Sequence, residues 1–402
     1  MTGAAAGPGL TTHDVIVVGG GPVGVFAGAL LAARGLDVRV WERRRDEPSL
    51  SRALGIHPPS LDAFEKLGVV DAVLAEAVAV RRGQARSGGR SLGAVRFDRL
   101  PGPYRFVAAL PQNRTEALLR ERLRALAPEA LVTGVAVDAV TTESERVVLS
   151  ASTTAADGTT ERMEAAARFV IAADGSRSTL RRLLGVRTAT REYPDAYVMG
   201  DFRDDTGAGS DAVISLEADG VVESFPLPGG VRRLVAHVGM RGGAGIEVAD
   251  AAGLARLVTE RTGDAVDPAT NSMFSAFGVR RRFAEHLAVG RVVLIGDAAH
   301  EISPIGGQGM NLGWLDAVEL APLIASALRS AGGRRFDPDA FAPFAARRAA
   351  VARRAARQAE LNMALGRPAG AAALVARRVG LVTALALPSN RLLARAYTMR
   401  LG

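Results

Sequence analysis

Asp14-Val-Ile-Val-Val-Gly-Gly-Gly-Pro-Val-Gly24 is the stretch that decides the fold. The run Val15 to Val18 is all β-branched, which favours a strand buried on both faces. Gly19, Gly21 and Gly24 then fit the spacing G-x-G-x-x-G. The first glycine permits a tight turn, the second lets backbone approach a phosphate, and the third lets the next helix pack closely on the strand. The helix is predicted to run through Ala32, with Ala and Leu on its inner face.

Working outward, Asp37 to Trp41 reads as a second strand that delivers Glu42, 18 residues after Gly24. An acid near this spacing accepts a hydrogen bond from a ribose 2′-hydroxyl. Arg43 follows it directly. The glycine spacing alone is weak evidence; strand, helix, strand and terminal acid together make a nucleotide-binding βαβ unit. A carboxylate at Glu42 repels a 2′-phosphate, so the dinucleotide is FAD or NAD, not NADP.

A second stretch stands near residue 300. Arg291-Val-Val-Leu-Ile-Gly-Asp-Ala-Ala-His300 reads as a buried strand with a sharp exit at Gly296-Asp297. Glu301-Ile-Ser-Pro-Ile-Gly-Gly-Gln-Gly-Met-Asn311 follows as a glycine-rich loop and a helix start. Such a loop brings bare N–H groups and a positive helix end against an anion or an electron-rich ring. A third buried strand, Arg168 to Ala173, ends in Asp174-Gly175, with a helix starting at Ser178. One ligand is therefore expected to be gripped by distant parts of the chain.

Between these motifs the pattern varies. Ser60 reads as the N-cap of a helix after His57-Pro-Pro59. Arg52 is placed to reach a pyrophosphate, and His57 reads as structural. Residues 80–106 are polar, Gly-rich and broken into short runs. Leu110-Pro-Gln112 leads into an amphipathic helix, Asn113 to Leu126. Short strands are expected over 132–173, with Asp157-Gly158 as a hairpin signal. From Tyr193 to Phe283 strands dominate (196–202, 212–216, 221–227 and 233–239), interrupted by a helix near 250–261. Helices then run from Asn311 to about Arg329 and from Ala340 to about Leu365. The tail after that is apolar and Arg-studded, and its longest uncharged run, 379–388, is about half a membrane span. Met1 to Thr12 reads as a frayed end.

The 402 residues are 48% hydrophobic, so the chain buries a large core. There is no cysteine, which excludes disulfides, thiolate metal sites, a cysteine nucleophile and cysteine-linked cofactors. The cytoplasm is the default location, with no transmembrane segment and no metal site expected. The net charge of +8 is spread through the chain, and aromatics are 5%. Nucleic-acid binding is therefore disfavoured relative to a general affinity for anionic cofactors.

Taken in order, Gly19-x-Gly21-x-x-Gly24 with Glu42, Asp174-Gly175, and Gly296-Asp297 with Pro304-x-Gly-Gly-Gln-Gly-Met-Asn311 resemble the single-component (class A) FAD-dependent aromatic hydroxylases. This is the group of para-hydroxybenzoate hydroxylase, and the resemblance covers Asp14 to about Leu365. It implies an α/β fold: a Rossmann-like FAD-binding domain (14–80, 107–190 and 284–365) interleaved with a β-sheet substrate domain (81–106 and 191–283), then a C-terminal helical segment (366–402). No thioredoxin-like C-terminal domain, as in the larger phenol hydroxylases, is expected. FAD is implied as a noncovalent cofactor, with NADPH or NADH and O2 as co-substrates and a small aromatic molecule as substrate.

Carried over by motif position, Gly19, Gly21, Gly24 and Arg52 would hold the pyrophosphate, and Glu42, followed by Arg43, the adenosine ribose. Gln112 would touch the flavin side, and Asp174 belongs to a motif used for both FAD and pyridine nucleotide. Gly296 and Asp297 would bind the ribityl chain. Pro304 would lie beside the substrate, and Gly307, Gly309, Met310 and Asn311 along the flavin. The implied reaction is reduction of FAD by NAD(P)H, oxygen addition at flavin C4a, and transfer of OH from the resulting hydroperoxide to an electron-rich ring. Ser224, His237 and Tyr197 are candidate relay groups, each more simply read as packing or surface residues, and no catalytic base is named. The same scaffold leaves epoxidation, Baeyer–Villiger insertion, isoprenoid reduction and non-catalytic FAD binding open. The aromatic-poor, Gly-rich substrate region suggests room for a polycyclic ligand.

Overall fold

The Thr12–Val18 strand sits between two parallel neighbours, Val38–Glu42 and Thr160–Ala172. The chain is described from a computed structural model over residues 10–46, 53–154, 158–240, 248–330, 336–386 and 390–400. Across this first sheet the strand order is Ala288–Val289, Val292–Leu294, Thr160–Ala172, Thr12–Val18, Val38–Glu42, Leu131–Thr133. Val147–Thr154 and Val135–Thr142 extend it as antiparallel partners of the long Thr160–Ala172 strand. The register pairs Val18 with both Trp41 and Ala172, and Ala172 with Leu294. Three motifs far apart in sequence therefore leave the sheet at one carboxyl edge, the side on which open α/β sheets bind ligands.

Helix Pro22–Ala32 is apolar all round, because it packs between the sheet and two further helices, Gln112–Leu126 and Gly309–Arg329. Phe26, Phe64 and Trp314 meet edge-on and tilted beneath it. Trp314 is fully buried, and its indole N–H donates to the Pro22 carbonyl at 3.1 Å. Full burial of such side chains contributes about 1.5–3 kcal/mol each.

A second eight-stranded sheet runs His300–Glu301, Met273–Ala284, Thr188–Arg203, Val231–Met240, Gly220–Leu227, Ala212–Glu217, Arg82–Ser87, Arg90–Arg96. Helix Ala251–Thr262 covers one face, seating Leu254 and Val258 against Val198, Phe202, Val222 and Leu234. Helices Ala371–Ala386 and Asn390–Tyr397 lie against the Arg90–Arg96 edge, where a Cβ on Gly93 would come within 2.9 Å of Leu385. A small third sheet joins Gly55–Ile56, Val107–Ala109 and Val78–Val80.

Several sequence expectations shift. The helix expected from Ser60 begins at Pro58, whose ring presets the first helical φ; Ser60 is fully buried inside the helix and His57 is the cap residue. Thr12 is not frayed: it opens the first strand and pairs with Ala166. The helix expected from Ala340 spans Ala342–Gly366, preceded by a 3₁₀ turn capped by Asp337. Asp157 of the expected hairpin lies outside the described residues, as do residues 1–9 of the expected tail. Among the described residues, no single helix is long and apolar enough to cross a membrane.

Candidate active site

A cavity of about 1150 Å³ runs from the carboxyl edge of the first sheet to the open face of the second. Small-molecule pockets generally span roughly 300–1,000 Å³, so this one suits a large ligand or two ligands at once. At the first-sheet end its wall includes Gly19, Gly21, Glu42, Arg43, Gln112, Asp174 and Asp297. Pro304, Gly307, Gly309 and Met310 line the middle, and apolar side chains of the second sheet line the far end.

The three N-terminal glycines divide their work. Gly19 has φ +111°, and a Cβ there would sit 2.3 Å from the Ala173 carbonyl oxygen. Gly21 borders the cavity with nothing within 4 Å of where its Cβ would be, and it begins helix Pro22–Ala32 with no side-chain cap. Gly24 does not line the cavity; a Cβ on it would strike the Gly19 oxygen at 1.8 Å, so what it supplies here is room for the turn. The Glu42 carboxylate accepts the Gly20 N–H at 2.7 Å and the Arg44 N–H at 2.8 Å. Burial opposes its charge, but the Arg44 backbone and guanidinium hold its pKa below the usual range.

Asp174 spends one carboxylate oxygen on the Thr179 and Leu180 N–H groups, at 2.7 and 3.1 Å, thereby capping helix Thr179–Leu183 together with Ser178. Among the described residues its other oxygen, buried at the cavity wall, has no partner. Gln112 opens its helix and donates to Glu116 at 2.7 Å. Asp297 projects into the cavity; enclosure by the protein first, then the charge of Glu301, pushes its carboxyl up to about 6. Helix Gly309–Arg329 starts at the cavity with no side-chain cap, leaving its first N–H groups and positive dipole end toward the space.

Some expected ligand residues act at one remove. Asn311 does not line the cavity: its amide donates to the Gly55 carbonyl at 2.8 Å and the Gly307 carbonyl at 3.1 Å, and its oxygen accepts the His57 N–H at 2.8 Å. Being fully buried, its side chain is consumed in stapling the glycine loop. Gly296 likewise turns inward, its N–H donating to Asp316 at 2.9 Å and its Cα packed near Val23. Arg52 lies outside the described residues. Among the relay candidates, Ser224 accepts from Arg232 at 3.1 Å, and His237 pairs with Asp195 at 3.3 Å. Tyr197 stacks on Phe277, and its buried hydroxyl has no partner among the described residues. None of these three borders the cavity: Ser224 lies on the other face of the sheet, and Tyr197 and His237 are fully buried.

Sequence reading missed Glu223, a buried carboxyl facing the cavity from the second sheet. The alternation of the Gly220–Leu227 strand was the available signal: Val222 and Ser224 face helix Ala251–Thr262, and Val221, Glu223 and Phe225 face the other way. His57 also borders the cavity, beside Gly307, and burial pushes its pKa down to about 4. Among the described residues no cluster of side chains is arranged to hold a metal.

The site fits an extended dinucleotide: two uncapped helix starts, an open glycine approach, an orphaned Asp174 oxygen and a projecting Asp297 all face one space. A family described as "FAD binding domain" matches residues 12–359. The chain is 33% identical to a 6-methylpretetramide 4-monooxygenase of Streptomyces rimosus over 79% of its own length and 56% of the relative's. It is 32% identical to a rifampicin monooxygenase of Streptomyces venezuelae over 78% and 64%. The chain thus spans between half and two thirds of the length of these relatives. Among solved structures, p-nitrophenol 4-monooxygenase of Pseudomonas putida superposes with a TM-score of 0.84 at 22% identity, covering 97% of this chain and 99% of that one, a likeness of fold. Anhydrotetracycline hydroxylase of Streptomyces rimosus superposes at 0.77 with 27% identity, covering 97% and 76%. With the match running from the first strand almost to the end of the Ala342–Gly366 helix, the chain belongs to the FAD-binding-domain family of flavoproteins.

Proposed function

We propose that this protein is an FAD-dependent monooxygenase that uses NADPH or NADH and O2 to hydroxylate a bulky aromatic substrate. The observation that carries this reading is the continuity of one cavity from the motif-bearing sheet edge to the apolar face of the second sheet. Cofactor and substrate can then meet at Pro304 to Met310. Two named relatives act on 6-methylpretetramide and rifampicin, which supports a large substrate. The division of labour follows: residues 14–80, 107–190 and 284–365 form the FAD-binding part, 81–106 and 191–283 the substrate part, and 366–402 a helical cover.

When bound, FAD supplies hydride acceptance from the nicotinamide and activation of O2. The protein's own groups bind and orient. Gly19 and Gly21 bring backbone and the start of helix Pro22–Ala32 to the pyrophosphate, and Glu42 and Arg43 lie at the adenosine end. Asp174 and Asp297 would hold the middle of the cofactor, with Asp297 a candidate acceptor for ribityl hydroxyls. The bare first turn of helix Gly309–Arg329 stabilises negative charge that develops beside it. Leu361, Leu365, Leu381 and Leu393 wall the substrate end and exclude water.

The test is substrate-stimulated oxidation. The purified protein should release FAD on denaturation. NADPH or NADH oxidation should accelerate with a phenol or polycyclic aromatic, and the product should gain one oxygen by mass. Failure of either pyridine nucleotide to reduce the flavin under any condition sinks the proposal.

A further inference from the structure

Across the second sheet, the pairing register aligns Ala85, Ile214, Glu223, Val235 and Met199 in one row over five strands. All five border the cavity. Directly paired residues share a face, so Glu223 stands in the middle of an aliphatic floor. Val221 and Phe225 flank it along its own strand, and Leu216 and Phe277 widen the apolar surround. Glu223 is 8% exposed, and among the described residues its carboxyl has no hydrogen bond or ion pair. A buried carboxyl in such a setting costs stability unless something satisfies it. A cation that also borders the cavity, Arg233, is committed to Asp201 through two hydrogen bonds of 2.7 and 2.8 Å. Folding alone does not explain an acid here, because Leu or Met would fill the floor better.

We infer that Glu223 is the specificity-determining acceptor of the substrate site, selecting an aromatic molecule that places an O–H donor, such as a phenolic hydroxyl, midway along an otherwise apolar body. This rests on reading the far end of the cavity as the substrate site. The ligand's donor completes the hydrogen bonding that the protein leaves open, and an analogue without that donor strands the carboxyl in a dry site. Discrimination of this kind exceeds what shape alone gives.

The surrounding groups make the acceptor separable by pH. Burial pushes the Glu223 carboxyl up to about 7. Tyr197 and Tyr397 are pushed upward, chiefly by burial and then by Glu223 itself. Burial lowers His57 to about 4 and also lowers His237, which faces Asp195. Arg233 and Asp201 are paired. Asp297, raised to about 6 in the same cavity, and buried His300, raised by Asp316, titrate close to this window. The part of a binding change between about pH 6 and about pH 8 that disappears in Glu223→Leu therefore reports Glu223, which accepts a donor best once ionised.

The experiment uses the FAD-loaded protein and two probes, 1-naphthol and 1-methoxynaphthalene, followed by the change in flavin absorbance on binding, with no turnover required. Wild type should prefer naphthol by about tenfold or more, the scale of one hydrogen bond to a charged group. The preference should grow as pH rises through about 7. Glu223→Leu should abolish the preference, and the nearly isosteric Glu223→Gln should keep part of it with a flat pH profile. Variants that retain the full wild-type preference overturn the role of Glu223 while leaving the aromatic site standing. A wild type that binds neither probe, at any concentration reached, overturns both the inference and the reading of the cavity on which it rests.

Discussion

Asn311 accepts the backbone N–H of His57 at 2.8 Å, across 254 positions of sequence. The same side chain donates to Gly55 and Gly307, so it ties the small third sheet to the glycine loop. Replacing it with leucine orphans two buried backbone groups, the His57 N–H and the Gly55 carbonyl, and a part-buried one, the Gly307 carbonyl. The expected cost is about 3 kcal/mol, since each buried unsatisfied group costs about 1–3 kcal/mol and the losses are not additive. Denaturant unfolding should show it, and FAD should dissociate more readily, read as free flavin after gel filtration. A variant with wild-type stability and retained flavin removes the staple from the account.

A second buried node lies under the Gly296 turn. Asp316 accepts from Gly296 N–H at 2.9 Å, from His300 at 2.7 Å and from Arg348 at 2.6 Å. Breaking a buried pair from one side typically costs about 3–5 kcal/mol, so Asp316→Ala should destabilise on that scale. The signs with pH oppose each other. Despite burial, His300 is held above its ordinary value by Asp316; its contribution is complete below about pH 6.5 and is lost as pH rises through the raised value. Asp316 is held below its ordinary value by His300 and Arg348; its contribution is lost as pH falls through the lowered value. His300→Gln should flatten the alkaline limb of a stability–pH curve and leave the acid limb. An unchanged alkaline limb would exclude His300 as its source.

Asp297→Ala should yield soluble protein without FAD, measured as the flavin-to-protein absorbance ratio. In the FAD-free protein the raised carboxyl has a second signature. Its native state holds a proton that the unfolded chain has lost between about pH 4 and about pH 6, so stability falls as pH rises through that window. Asp297→Asn should make this fall shallower, leaving the share that the raised Glu223 carboxyl contributes. Thermal melts of FAD-free wild type and variant across the window decide the point.

Two glycines within six residues of the first strand should respond oppositely to alanine. Gly24→Ala drives a methyl into the Gly19 carbonyl at 1.8 Å and should prevent accumulation of folded protein. Gly21→Ala meets open space within 4 Å, so the FAD-free melting temperature should hold, while FAD affinity falls because the methyl occupies the approach to the cofactor. Equal loss of stability in both would contradict this division.

Much of the first sheet was legible because its strands are buried on both faces. Val15 to Val18 and Phe169 to Ala172 read as continuous apolar runs, and each ends in glycine or aspartate where the sheet stops. The Met273–Ala284 strand was not picked out, because Arg280, Arg281 and Arg282 break any apolar alternation and find partners only in three dimensions, among them Glu301 and Glu360. At the site, motif residues with backbone roles could be read by spacing. Direction could not: Asn311 and Gly296 point inward because of Gly55, Gly307 and Asp316, none of which a local pattern names. Glu223 was hidden for the converse reason. One acid in a strand looks like a solvent-facing residue until the register shows which face it occupies.

The walls of the cavity are drawn from Val18 at one extreme to Tyr397 at the other. No shorter stretch of the chain encloses it. The nucleotide unit at the front supplies only one side of the cofactor's seat; Asp174, Asp297 and the start of helix Gly309–Arg329 must also be in place before the ligand has somewhere to rest. Yellow colour in a preparation of this protein is therefore a reading of tertiary completeness, and a nicked or truncated chain should betray itself by paleness before any assay is run.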